Sequence, residues 1–166
     1  QAIASLVITH LDKDHKTAFA AIERALSVNP SCGAALFFGS YINGIGGNPV
    51  KAKTYADRAL RISPFDPFAF AAHCALGTAA TQEGRFDDAA SSFASAVQAN
   101  PRFSTLYFFQ AAALALAGRK GEALPIVERL LQLEPQFGLG WMLQIGIARE
   151  IADRFVEGGR LLGLPE

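Results

Sequence analysis

The sequence is poor in the residues that several classes of protein require. Its 166 residues include 2 cysteines, 1 tryptophan and 1 methionine. Cys32 and Cys74 are far apart in the chain and form no C-x-x-C pair, which favours a reduced, cytosolic setting over a disulfide framework. The 15 basic and 15 acidic residues balance. Because the Lys and Arg residues are scattered, the sequence excludes the basic footprint of a nucleic-acid-binding surface.

Long hydrophobic runs are also missing. Charges or glycines interrupt every apolar stretch before it reaches the roughly 18 residues of a membrane span, and the first residues lack the basic start of a signal peptide. The chain begins at Gln1 and its single methionine is Met142. We therefore expect the chain to be part of a longer protein, with no membrane contact of its own.

A repeat dominates what the sequence does contain. Four segments end alike: "ALSVNP" at Pro30, "ALRISP" at Pro64, "AVQANP" at Pro101 and "LLQLEP" at Pro135. The first and last of the three intervals between these prolines are equal, and the middle one is slightly longer. An alanine stands at one fixed distance before each proline, at Ala18, Ala52, Ala89 and Ala123. Such a period indicates stacked structural units, each burying its apolar face against the next.

The stretch "EGRFDDAASSFASAVQANP" at 83–101 predicts the structure of one unit. Gly84 is suited to end one helix, and Asp87 begins another where acidic groups are favourable. The small and aromatic residues that follow share one helical face. Pro101 ends the helix, since proline lacks an N–H and disfavours the α-helical conformation for the residue before it.

These residues resemble the tetratricopeptide repeat (TPR) family, whose units are antiparallel helix pairs of about 34 residues. The segment 70–101 carries the family pattern at Leu76, Gly77, Ala80, Ala89, Phe93, Ala96 and Pro101. The resemblance implies an all-α fold, a right-handed α–α superhelix of about five helix pairs. The sequence departs from the family in the large residue of the first helix, which is Leu36, His73, Tyr107 or Trp141.

The spacing places the whole chain, 1–166, in a single array. The expected repeats are 1–31, 32–65, 66–102, 103–136 and 137–166. The expected helix pairs are 1–10 with 14–28, 32–45 with 48–62, 67–83 with 86–99, 103–117 with 120–133, and 137–150 with 153–162. An insertion around "FDP" accounts for the longer spacing, and there we expect Asp66 to cap a helix that starts at Pro67.

The resemblance also implies a concave surface lined by the first helix of each pair. The side chains expected to form this partner-binding groove are Phe37, Tyr41, Cys74, Thr78, Phe108 and Met142. The groove would be apolar, and it lacks the Lys, Arg and Asn set with which chaperone-tail-binding relatives clamp a carboxylate. Two interpretations stay open: the aromatic residues fill a tightly wound superhelix, or they bind an apolar helix or extended segment. That segment would come from a partner, from the same polypeptide or from a second copy.

We expect no catalytic residues, no metal and no cofactor. The cluster "HLDKDH" at 10–15 invites a metal site, but it falls on a predicted turn, where polar residues are ordinary. His73 and Cys74 are adjacent on a helix and therefore point about 100° apart, which is unsuitable for a reactive thiolate pair. The segment "GIGGNP" at 44–49 lacks the spacing of a phosphate-binding loop and predicts a turn.

The last residues, "FVEGGRLLGLPE" at 155–166, resemble the end of repeat arrays in bacterial signalling proteins. Those proteins are class III adenylate or guanylate cyclases and winged-helix regulators. The leading interpretation is a non-catalytic protein-interaction scaffold, the C-terminal regulatory module of a bacterial signalling protein. The alternatives are part of a cyclase whose catalytic domain lies upstream, or part of a DNA-binding regulator.

Overall fold

The computed structural model describes residues 15–166, and this part of the chain consists of helices without a β-strand. The α-helices are α1 (His15–Val28), α2 (Gly33–Ile45), α3 (Pro49–Ile62), α4 (Ala69–Gln82), α5 (Phe86–Ala99), α6 (Ser104–Leu116), α7 (Lys120–Leu133) and α8 (Arg149–Leu161). A short 3₁₀ helix, Leu139–Leu143, precedes α8. The predicted all-α superhelix is confirmed. None of the described helices is long and apolar enough to cross a membrane.

Helices α2 to α7 form three antiparallel pairs, α2/α3, α4/α5 and α6/α7, and each pair packs against the next. We call α2, α4 and α6 the first helices, and α1, α3, α5 and α7 the second helices. Each second helix ends just before one of the four repeated prolines. The predicted first helix of the opening pair, 1–10, lies outside the described residues.

Small residues on the buried faces allow this close stacking. The four alanines that precede the prolines at a fixed distance are all fully buried. In the third repeat, a Cβ added to Gly77 on α4 would lie 2.6 Å from the ring of Phe93 on α5. The ring therefore fills space that any larger residue at position 77 would need.

The turns inside the three pairs share one geometry. Gly47, Gly84 and Gly118 have φ angles of 82°, 74° and 77°, a conformation that favours glycine. After each of them, the next N–H donates to a carbonyl near the end of the first helix; Arg119 N, for example, lies 2.8 Å from Leu114 O. This is the hydrogen bond of a Schellman helix ending, so the glycines at the predicted turns do end the first helices.

The insertion near residue 66 folds differently in detail from its prediction. Helix α4 begins at Ala69 rather than Pro67. The Asp66 carboxylate accepts a hydrogen bond from Phe68 N at 2.9 Å, so it caps the turn before the helix. The inserted residues leave Phe65 97% exposed on this turn.

The C-terminal segment departs most from the expected pairing. The helix predicted at 137–150 is replaced by the 3₁₀ helix and an irregular stretch, and only α8 follows. Glycines interrupt this stretch at Gly138, Gly140 and Gly146, and glycine disfavours a helix interior by about 1 kcal/mol each. Instead, Leu139 N donates to Pro165 O at 2.8 Å and Ala148 N donates to Ile45 O at 2.7 Å. The segment thus turns back onto the array.

Candidate functional site

The six side chains predicted to line a groove are all buried in this structure. Phe37 and Tyr41 belong to α2, Cys74 and Thr78 to α4, Phe108 to α6, and Met142 to the 3₁₀ helix. Tyr41 is 5% exposed and the other five are 0% exposed. Their assignment as partner-binding residues stays a prediction, but the side chains themselves are core residues in this structure.

Tyr41, Cys74 and Thr78 lie at the contact between α2 and α4. Burial raises the pKa of the Cys74 thiol, and burial together with the neighbouring Cys74 raises the pKa of Tyr41. Thr78 donates its hydroxyl to Ala75 O at 3.0 Å. A Cβ added to Gly44 would lie only 2.5 Å from the Thr78 hydroxyl oxygen, so these two first helices approach each other closely.

Phe108 lies at the centre of an aromatic cluster between α6 and the C-terminal segment. Its ring centroid is 4.9 Å from that of Phe137, 6.0 Å from that of Phe109 and 6.3 Å from that of Phe155. Phe109 belongs to α6 itself, and Phe155 belongs to α8. The inner face of α6 is therefore covered by the protein's own last helix.

Helix α8 is amphipathic, and its apolar face makes this contact. Its buried residues are Ile151, Ala152, Phe155, Val156, Gly158 and Gly159. Its exposed residues include Arg149, Glu150, Asp153, Arg154, Glu157 and Arg160. Sequence reasoning did not assign Phe155 or the glycine pair to the site. The signal was the recurrence of apolar residues at four-residue spacing in 151–159, which indicates one buried face.

The polar groups near this face are poorly suited to covalent chemistry. A buried thiol with a raised pKa is a weak nucleophile, because the thiolate is the reactive form. Burial lowers the pKa of the adjacent His73, so both side chains are held in their neutral forms. The cluster at 10–15 lies outside the described residues except for the backbone of His15. Elsewhere in residues 15–166, no group of three or more His, Cys, Asp or Glu side chains is placed to hold a metal.

A shallow depression of about 330 Å³ lies at the turns between first and second helices, lined by Gly84, Arg85, Phe86, Asp87, Asp88 and Ala117. Its charged groups are already paired. Arg85 forms ion pairs with Glu83 and Asp88, and Arg119 pairs with Asp87 at 2.7 Å. The Arg119–Asp87 pair links two successive repeats, whereas the two Arg85 pairs are local to one turn, so we assign all three a structural role.

Comparison with known proteins agrees with this geometry. Residues 74–136 match the tetratricopeptide repeat family. The Hsp70-Hsp90 organizing protein of Triticum aestivum is 37% identical over 90 residues, which are 51% of this chain and 16% of that protein. The chain thus spans a small part of the length of this relative.

Three solved structures have the same fold at low sequence identity. MamA is 19% identical with a TM-score of 0.63, over 90% of this chain and 86% of its own. TTC0263, a thermophilic TPR protein in Thermus thermophilus, is 22% identical with a TM-score of 0.58, over 88% and 75%. YrrB, a TPR protein with an unusual peptide-binding site, is 18% identical with a TM-score of 0.59, over 94% and 83%.

The stacked antiparallel pairs, the proline period and the glycine turns define a helical-repeat protein. The comparisons are more specific for part of the chain: residues 74–136 match the tetratricopeptide repeat family, and the chain shares the fold of solved tetratricopeptide repeat proteins.

Proposed function

We propose that this protein is a non-catalytic protein-interaction scaffold whose inner face accepts an amphipathic helix. The observation that carries the proposal is α8, which seats its apolar face on first helix α6 in this structure. In helix-in-groove recognition, an amphipathic helix places its apolar face in a hydrophobic groove, and α8 packs on the inner face in the same way. Our proposed groove residues remain Phe37, Tyr41, Cys74, Thr78, Phe108 and Met142.

The chemistry of the groove favours burial over charge as the source of affinity. Its six residues include no charged side chain. At about 25 cal/mol per Å², the apolar side chains that a partner helix buries contribute several kcal/mol before the costs of association are subtracted. A charged clamp for a carboxylate is missing at these positions, so we do not propose the chaperone partners that the name of the wheat relative mentions.

We place this scaffold in the cytoplasm, as a regulatory module of a bacterial signalling protein. The resemblance of residues 155–166 to the ends of repeat arrays in such proteins supports this setting. The alternatives remain part of a nucleotide cyclase or of a DNA-binding regulator. The sequence encoded upstream of Gln1 distinguishes them: a cyclase predicts metal-binding aspartates on strands, whereas a winged helix predicts a basic recognition helix.

The experiment is selection from a displayed library of helical peptides, followed by binding measurements on the purified chain. We expect the selected peptides to carry apolar residues at four-residue spacing. Their Kd should change little between about 0.05 and 0.5 M NaCl, because burial is not screened by salt. Scrambled peptides of the same composition are the control. Selection of acidic peptides with steeply salt-dependent binding would contradict the proposal.

A further inference from the structure

Helix α8 lies between two first helices that would otherwise be neighbours. Helices α2 and α4 pack directly against each other, whereas α4 and α6 make few direct contacts and α8 contacts both. Gly158 lies against Ala112, and Gly159 lies against Phe108, one turn earlier on α6. Helix α8 therefore contacts α6 in the position that a ligand of the inner face would take.

Phe155 anchors α8 in this cleft. Its ring centroid lies 4.4 Å from that of Phe109, in a stacked arrangement, and 5.8 Å from that of Phe93. Phe155 is fully buried, and it is the largest side chain on the buried face of α8. A single aromatic ring at this position thus joins α8 to both α5 and α6.

The glycine pair sets how closely α8 approaches. A Cβ added to Gly158 would lie 2.7 Å from the carbonyl oxygen and 2.9 Å from the Cα of Ala112. These atoms belong to the backbone of α6, so they cannot move away by a change of side-chain rotamer. A Cβ on Gly159 would instead meet Leu139 and Phe108 side chains. Position 158 is therefore the stricter requirement for a residue without a side chain.

The polar contacts of α8 with the repeat helices are few. Its ion pairs, Arg149 with Asp153 and Arg160 with Glu166, are formed within the C-terminal segment itself. In residues 15–166 no ion pair joins α8 to the repeat helices, although Arg154 lies 5.9 Å from the centroid of the Phe86 ring. Helix α8 is thus held on the repeats mainly by apolar side chains, and an irregular stretch connects it to them. Another helix with the same apolar side chains can replace it.

We propose that α8 competes in cis for the groove, and that the partner is an amphipathic helix with the same pattern. That pattern is an aliphatic residue, an aromatic residue four positions later, and two residues without side chains three and four positions after the aromatic. In this chain it is Ile151, Phe155, Gly158 and Gly159. The inference rests on the proposed scaffold function and specifies the partner and the regulation of the same face.

The test compares two substitutions of the same kind in the 166-residue chain. Gly158→Ala introduces a Cβ against backbone, whereas Gly121→Ala introduces one on α7 where nothing lies within 4 Å. The probe is a fluorescently labelled peptide with the sequence of residues 147–163. A tethered helix has a high effective concentration, so the unaltered chain and Gly121→Ala should bind the peptide weakly. Gly158→Ala should bind it at least about tenfold more tightly, because apparent affinity scales with the fraction of open grooves.

Two further measurements make the outcome decisive. Trp141, the single tryptophan, lies in the C-terminal segment with its ring 6.1 Å from Phe137, so its emission should shift to longer wavelength when α8 leaves. A peptide that itself carries Gly158→Ala should bind no variant. Phe155→Ala, which removes the anchor without adding atoms, is the second route to an open groove and should also tighten binding of the unaltered peptide.

Equal peptide affinity in the unaltered chain and both α8 variants would overturn the competition in cis and leave the scaffold function standing. A Trp141 shift without peptide binding would overturn both, because an empty groove would then have no affinity for this helix. If both α8 variants lose the circular dichroism of the repeats, α8 is an integral part of the fold and the proposal is wrong.

Discussion

Residues 33–133 and residues 137–166 bury their apolar side chains in different ways. In the first region every helix packs against neighbours in sequence, and the same small residues recur at the same positions. In the second region the contacts reach far along the chain, from Ala148 to Ile45 and from Phe155 to Phe93. The comparison teaches that a repeat array can end by folding back over its own face rather than by adding one more unit.

The largest effect is expected where the two regions meet. Phe93→Ala should lower the free energy of unfolding by about 3–5 kcal/mol, because the fully buried ring contacts Gly77, Phe109 and Phe155. Thermal melting followed by circular dichroism measures the loss. The control is Phe65→Ala, whose ring is exposed and should leave the melting temperature unchanged. If both variants melt together, the assigned helical phase of α5 is wrong.

A smaller effect, confined to the repeats, is expected from overpacking. Ala89→Leu enlarges the side chain at a fully buried position of α5 and should destabilise the protein by about 1–3 kcal/mol. Ala99→Leu, at the exposed end of the same helix, is the matched control. Denaturant unfolding of the two variants checks the difference. An Ala89→Leu midpoint equal to that of Ala99→Leu would speak against close packing here.

A glycine-to-alanine substitution at a helix end can be made both in the repeats and in the C-terminal segment. Gly118 ends α6 and Gly163 ends α8, with φ angles of 77° and 75°. Alanine at either position should cost about 1–2 kcal/mol of local strain. Hydrogen exchange should show faster opening of α6 and α7 for Gly118→Ala, but of residues 149–166 alone for Gly163→Ala. Equal effects throughout the chain would mean that the two regions open as a single unit.

The smallest expected effect is a pH dependence carried by His73. Burial lowers the pKa of this imidazole from its usual 6.5, so the unfolded chain takes up the proton at higher pH than the folded chain. Stability should therefore be full above about pH 6.5 and decline as the pH falls through the lower folded value. Melting temperatures from pH 7.5 to 5.5, compared with His73→Gln, isolate this contribution. Identical pH profiles would show that His73 contributes none of it.

How far the candidate site was predictable varies from residue to residue. The period and the family resemblance placed Phe37, Cys74 and Phe108 on the first helices, because a helix fixes which face each residue takes. The burial of Phe108 under α8 was not predictable, since a contact between residues 108 and 155 follows no local spacing. Phe155 and Gly158 were missed for the same reason. A glycine is required at position 158 because the backbone of Ala112 lies against it, and this contact is visible only in the tertiary structure.

The amino-acid sequence alone determined the helix pairs, their proline endings and their glycine turns, because these depend on backbone preferences and on apolar periodicity within about 34 residues. Only the tertiary structure decided what covers the inner face. The repeat spacing predicted the first helix of a fifth pair at residues 137–150, but the glycines in this segment destabilise such a helix. Burial of α8 between α4 and α6 then depends on shape complementarity between segments that are distant in sequence, which no local pattern records.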